Sequence, residues 1–118
     1  MSLPIIIMYR GKKQTVENVV LDTGAARTVI SPDAVADLGI GLGPGDPIIA
    51  AYGIGGRQYA FVKQVDGVRF GSFSVIPCKI DFGLVDPEGK INGLLGLDLL
   101  MKVGAVIDLK NLMLSAGL

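Results

Sequence analysis

The stretch VVLDTGAARTVIS, residues 19–31, sets a carboxylate, Asp22, between the apolar run Val19-Val20-Leu21 and a Gly24-Ala25 turn, with Thr28-Val29-Ile30-Ser31 following. A β-branched run of this kind reads as a buried strand, and a glycine at its end permits close backbone approach. The strand therefore delivers an acidic side chain to a turn against the core. By itself Asp22-Thr23-Gly24 reads equally as an Asx-type turn capped by Thr23. A carboxylate held there for chemistry needs a second group to exchange protons with.

Composition narrows what that chemistry can be. The 118 residues are half hydrophobic and 19% charged, which describes one ordered domain over residues 1–118 rather than a disordered chain. Eleven basic and eleven acidic residues cancel, and no Lys/Arg cluster stands out, so neither nucleic acid nor an anionic membrane is an expected partner. There is no His, which removes His-based triads, imidazole metal sites and His general bases. Cys78 stands alone, cannot form an internal disulfide and reads as a buried, inert thiol. The chain lacks the several Cys or His ligands of a structural zinc site, and no metal or cofactor is expected. Its longest apolar region, INGLLGLDLLMKVGAVIDL, is interrupted by Asp98, Lys102 and Asp108, so no membrane insertion is expected. LPIIIM near the start is too short to span and lacks a basic leader. A soluble domain follows. The compartment is left open with the cytoplasm slightly favoured, and an upstream anchor or further domain is compatible with the sequence.

Seventeen Gly and six Pro punctuate short apolar runs, as in a β-rich domain. PIIIMYR and QTVENVVL predict a hairpin linked through GKK, and RTVIS a short strand. SPDAVADLG predicts a short helix with Ser31 as N-cap, Pro32 at its first position and Gly39 as terminator. PIIAAY and RQYAFVKQV predict a long hairpin with GIGG at its tip, and GVRF and FSVIPCKIDF a further one. DLLMKVG predicts a second short helix with Asp98 as N-cap, before a last hairpin of AVIDL and LMLS. The Gly-rich stretches GIGLGPGD and GIGGRQ fail the phosphate-binding spacing and do not join a strand to a helix, which argues against nucleotide binding. The expectation is an all-β, closed or partly closed barrel.

Residues 19–31 resemble the active-site signature of the retropepsin-like, single-lobe aspartic proteases, an apolar pair, D-[T/S]-G-A, then T-[V/I]-[I/L]. INGLLGLDLLMKVG, residues 91–104, is similar to that family's second signature, and YGIGG, residues 52–56, to its Gly-rich flap. The resemblance implies an acid-protease barrel of one lobe, with Asp22, Thr23 and Gly24 as the catalytic turn. Substrate would meet Ala25, Ala26 and Arg27 below and Tyr52, Gly53, Ile54, Gly55 and Gly56 in the flap. Thr28, Leu94, Leu95, Gly96 and Asp98 would support the turn, with Asp98 hydrogen-bonded to Thr28. Where many retroviral relatives carry an Asp after the triplet and an Arg after the second glycine, this chain has Ala26 and Leu97. Arg27 then either alters subsite preference or is a solvated side chain.

Asp81, Asp98 and Asp108 also follow aliphatic residues, but none precedes Thr/Ser-Gly, so none reads as the second acid. One lobe holds half the apparatus. The resemblance implies that a second copy supplies the other Asp22 across a two-fold axis, giving a homodimeric aspartic endopeptidase for extended peptides. The alternative is a catalytically silent dimerisation or peptide-binding module of the same fold.

Overall fold

The computed structural model describes residues 1–53 and 56–115. Strands β1 (Ser2–Tyr9) and β2 (Lys12–Leu21) form the N-terminal hairpin, and Ile5, Ile7 and Tyr9 alternate into the core with the period of two that a pleated strand imposes. The turn is Arg10-Gly11, both at positive φ (49° and 78°), not the GKK link expected. A two-residue hairpin favours a primed turn with positive φ at both positions. Gly11 adopts it freely, and nothing in the identity of Arg10 signals it.

Strand β3 (Val29–Ile30) follows the Asp22 turn. Residues Pro32–Leu38 form a 3₁₀ segment whose helical dihedrals break at Val35, rather than a regular helix. Pro32 opens it, Gly39 closes it at φ 74°, and Ser31 stands at the cap position without a side-chain hydrogen bond. So short a segment has little helical cooperativity of its own, and it bends to bury Val35 and Leu38. Then come β4 (Ile48–Gly53), β5 (Gly56–Val65), β6 (Gly67–Phe70), β7 (Phe73–Val75), β8 (Cys78–Gly83), β9 (Gly93–Leu95), helix α1 (Leu97–Val103), β10 (Val106–Asp108) and β11 (Met113–Ser115).

Nine strands, in the order β4-β5-β8-β3-β9-β2-β1-β6-β7, make one curled sheet, and β10 and β11 pair separately. The result is the expected one-lobe, all-β half-barrel of the acid-protease type. Its core is filled by Ile5, Ile7, Val19, Ile30, Phe70, Phe82 and Leu95 among others.

One crossing positions the site. Strand β9 lies between β2 and β3, parallel to the first (Val20↔Leu94, Leu21↔Leu95) and antiparallel to the second (Val29↔Leu94). The two strands that flank the Asp22 turn are therefore both stitched to the second signature. Gly93 is needed there, because an added Cβ would lie 2.6 Å from Ile30 Cδ1 and 2.9 Å from the Val29 carbonyl oxygen. Among the described residues no helix is long and apolar enough to cross a membrane.

Candidate active site

Asp22 directly follows β2, and its N–H donates to the Leu95 carbonyl (3.0 Å), which hangs the turn from β9. Its Oδ1 accepts from the Gly24 N–H (2.9 Å) and its carbonyl oxygen from the Ala25 N–H (3.1 Å). This is an Asx turn, and it fixes the direction of the carboxylate. Asp22 is partly exposed, while Thr23 and Gly24 are exposed. The acid can meet a second reactant in the solvent-facing space above the turn.

The support behind the turn is dense. Thr28 is fully buried, and its Oγ1 donates to Asp98 Oδ1 (2.7 Å) while accepting from the Gly96 N–H (3.0 Å). The same Asp98 oxygen accepts from the N–H groups of Thr28 (2.9 Å) and Leu99 (2.8 Å). Leu97 and Asp98 donate their N–H groups to the carbonyls of Ala25 and Ala26. A Cβ at Gly96 would stand 2.7 Å from the Arg27 carbonyl carbon and 2.8 Å from the Ala25 oxygen, so only glycine lets the two backbones approach this closely. Leu94 and Leu95 are buried in the β9 ladder. Asp98 is not the helix N-cap that the sequence suggested. Gly96 holds that position, and the Asp98 carboxylate is drawn back to Thr28, where it holds two segments together.

Arg27 is half solvated and half tied down. Its Nε and Nη2 donate to Asp81 Oδ2 and Oδ1, both at 2.6 Å. The carboxylate is 1% exposed and the arginine side chain 51% exposed. The Asp81 hydrogen bonds raise the Arg27 guanidinium above its ordinary value, so it stays charged at any working pH. Beside the turn is a cleft of about 230 Å³, with Gly24, Ala25, Ala26, Val29 and Ala50 supplying its apolar lining and Arg27 and Asp81 its polar one.

The expected flap falls on the β4–β5 hairpin, in which Tyr52 pairs with Arg57 and Gly53 with Gly56. Ile54 and Gly55 lie outside the described residues. At the base of that hairpin, Asp46 accepts from the Gly43 N–H (2.7 Å) and from Lys63 Nζ (3.0 Å), tying loop 41–47 to β5. The Gly43 hydrogen bond, with help from Lys63, lowers the Asp46 carboxyl below its ordinary value.

Among the described residues no group of His, Cys, Asp and Glu could hold a metal ion. Cys78 is buried, and burial pushes its thiol up to about 11, far from the thiolate that a nucleophile needs. Sequence reasoning missed Asp81 as the partner of Arg27, along with Val29 and Ala50 in the cleft. The available signal was the lone acid inside the apolar run CKIDF, because a carboxylate buried on a strand requires a cation or several donors.

A family model described as Aspartyl protease matches residues 6–99, from the first strand into α1. No curated protein matches the chain.

Proposed function

The chain belongs to the aspartyl protease family, and from that premise we propose that it is an endopeptidase active as a homodimer, with one Asp22 from each copy. The observation that carries this reading is the braced turn. A single Asp-Thr-Gly is held by its own Asx hydrogen bond and by the Thr28–Asp98–Gly96 network, which is far more support than a surface turn requires.

Two such carboxyls at short range cannot both ionise, so the pair shares one proton. The charged member takes a proton from a water held between them as that water attacks the peptide carbonyl. The neutral member donates to the developing oxyanion and later to the leaving nitrogen. Titration then belongs to the pair. Thr23 is proposed to lock the two turns together. Substrate lies extended between the β4–β5 hairpin and the Ala25–Arg27 segment, hydrogen-bonded as an added strand. The glycines Gly53 and Gly56 make that hairpin easy to deform for entry.

Exposed apolar residues support pairing with a second copy. Met101, Val106, Leu109, Leu112 and Met113 are all exposed from the end of the second signature to the last strand, and apolar side chains gathered on one short segment are a feature of association surfaces.

The test is a peptide-library screen from acid to neutral pH, with and without a statine-type transition-state mimic, on the chain and on Asp22→Asn. Cleavage that the mimic blocks and that Asp22→Asn abolishes, with the dimer retained, is the expected result. A well-folded dimer that cleaves nothing would instead favour the silent module.

A further inference from the structure

We infer that the cleft beside the Asp22 turn selects substrates with an acidic side chain, Glu or Asp, close to the scissile bond. Arg27 is its specificity-determining residue, and Asp81 is the group that positions it. The inference rests on the protease reading above and adds the substrate class.

Asp81 sits between Ile80 and Phe82 on β8, a buried carboxylate that the proposed chemistry does not use. Such a group is costly unless paired, and its partner comes from 54 positions away in the chain. The pair is lopsided: the acid is sealed in the protein while half of the arginine faces out beside the cleft. Among the described residues only Asp81 accepts from Arg27, through Nε and Nη2. Both N–H groups of Nη1 are left for an incoming acceptor. The two-pronged contact also fixes the guanidinium plane before substrate arrives, which lowers the entropy lost on binding.

The rest of the lining is small. Ala25, Ala26 and Ala50 leave room for a side chain of several atoms, and with Val29 they offer apolar contact to its methylenes. A glutamate suits both parts, with its stem on the alanines and its carboxylate on Nη1. A glutamine makes the same contact without the charge, a leucine leaves the donors unpaired, and a lysine meets like charge. In the homodimer the two-fold axis repeats the cleft, so the preference falls at mirrored positions on the two sides of the scissile bond.

The test is kcat/KM on a fluorogenic peptide series in which Glu, Gln, Leu or Lys is placed in turn at each position flanking one cleavable bond. Glu should exceed Leu by about tenfold, the low end for a charge-assisted hydrogen bond, at one position on each side. Gln should fall between them, and Lys should be poorest. Arg27→Gln alone would strand the buried Asp81, so the informative variant is Arg27→Gln with Asp81→Asn, in which the Glu-to-Leu ratio should drop to near one. Arg27→Lys keeps the charge and should keep part of the ratio. A chain that cleaves the series but favours Leu, or whose double variant retains the Glu preference, overturns the inference and leaves the protease reading standing. Failure of the chain to cleave any peptide removes both. If the double variant does not fold, the profile of the unmodified chain and of Arg27→Lys decides.

Discussion

Thr28 places a hydroxyl in the middle of the turn's support, where it bonds Asp98 and receives the Gly96 N–H. The isosteric Thr28→Val removes both contacts and leaves a buried N–H unpartnered, a loss of about 2 kcal/mol. Urea unfolding should show a lower midpoint with an unchanged slope. Thr28→Ser keeps the hydroxyl and should lose about 1 kcal/mol for its buried methyl; equal losses in the two variants would argue against the hydrogen bonds. At Ala25 the side chain offers no hydroxyl to the proposed Asp22 pair. Ala25→Ser adds a donor that favours the charged form, so the pH–rate profile should move toward acid; a move toward neutral would contradict this. The Thr28–Asp98 contact was legible in the sequence because it belongs to a recognisable pair of signatures. The Arg27–Asp81 contact was not. It exists only because β3 runs parallel to β8 and sets Val29 opposite Asp81, and no local pattern announces a parallel pairing across so many residues.

At the scale of elements, the β4–β5 hairpin is tied at its base by Asp46, which holds the Gly43 N–H and Lys63, while the Val62 N–H donates to the Pro47 carbonyl (2.9 Å). The folded Asp46 carboxyl titrates below its ordinary value of 3.8. A lowered acid contributes its stabilisation above the unfolded value and loses it as pH falls through the folded one. The tie should therefore hold at neutral pH and loosen below about pH 3.8. Hydrogen exchange at Val62 should be faster in Asp46→Asn than in the unmodified chain at pH 6, with little difference between them once Asp46 is protonated. Unequal exchange at both pH values would point to packing rather than charge. The strands were readable from alternation and glycine spacing, as Ile5, Ile7 and Tyr9 illustrate. Element ends were less so: the Arg10 turn depends on a positive φ that its side chain does not advertise, and the 3₁₀ break at Val35 answers to the core instead of to helix signals.

At the scale of the molecule, the proposed mechanism asks for two copies of the half-barrel. Its curled sheet presents one Asp22 turn, and the exposed apolar residues Met101, Val106, Leu109, Leu112 and Met113 are the proposed place to close against another copy. Leu109, 77% exposed in the single chain, bears little on the stability of the fold, so Leu109→Lys should leave the melting curve of the monomer nearly unchanged. It should weaken self-association by roughly tenfold, visible in sedimentation equilibrium. An unchanged association constant would move the interface elsewhere. Mixing tests the shared site more directly. When Asp22→Asn chains are added in equal amount, well above the dissociation constant, random exchange leaves about a quarter of the dimers with two native carboxyls. About half of the native chains are then trapped in hybrids with a single Asp22. A mixed dimer holds one acid and cannot share a proton, so activity per native chain should fall to about half, and further as the variant is raised in excess. Each chain acting alone would be indifferent to the added variant, and activity that stays constant across the mixing series would mean that Asp22 does not work in pairs.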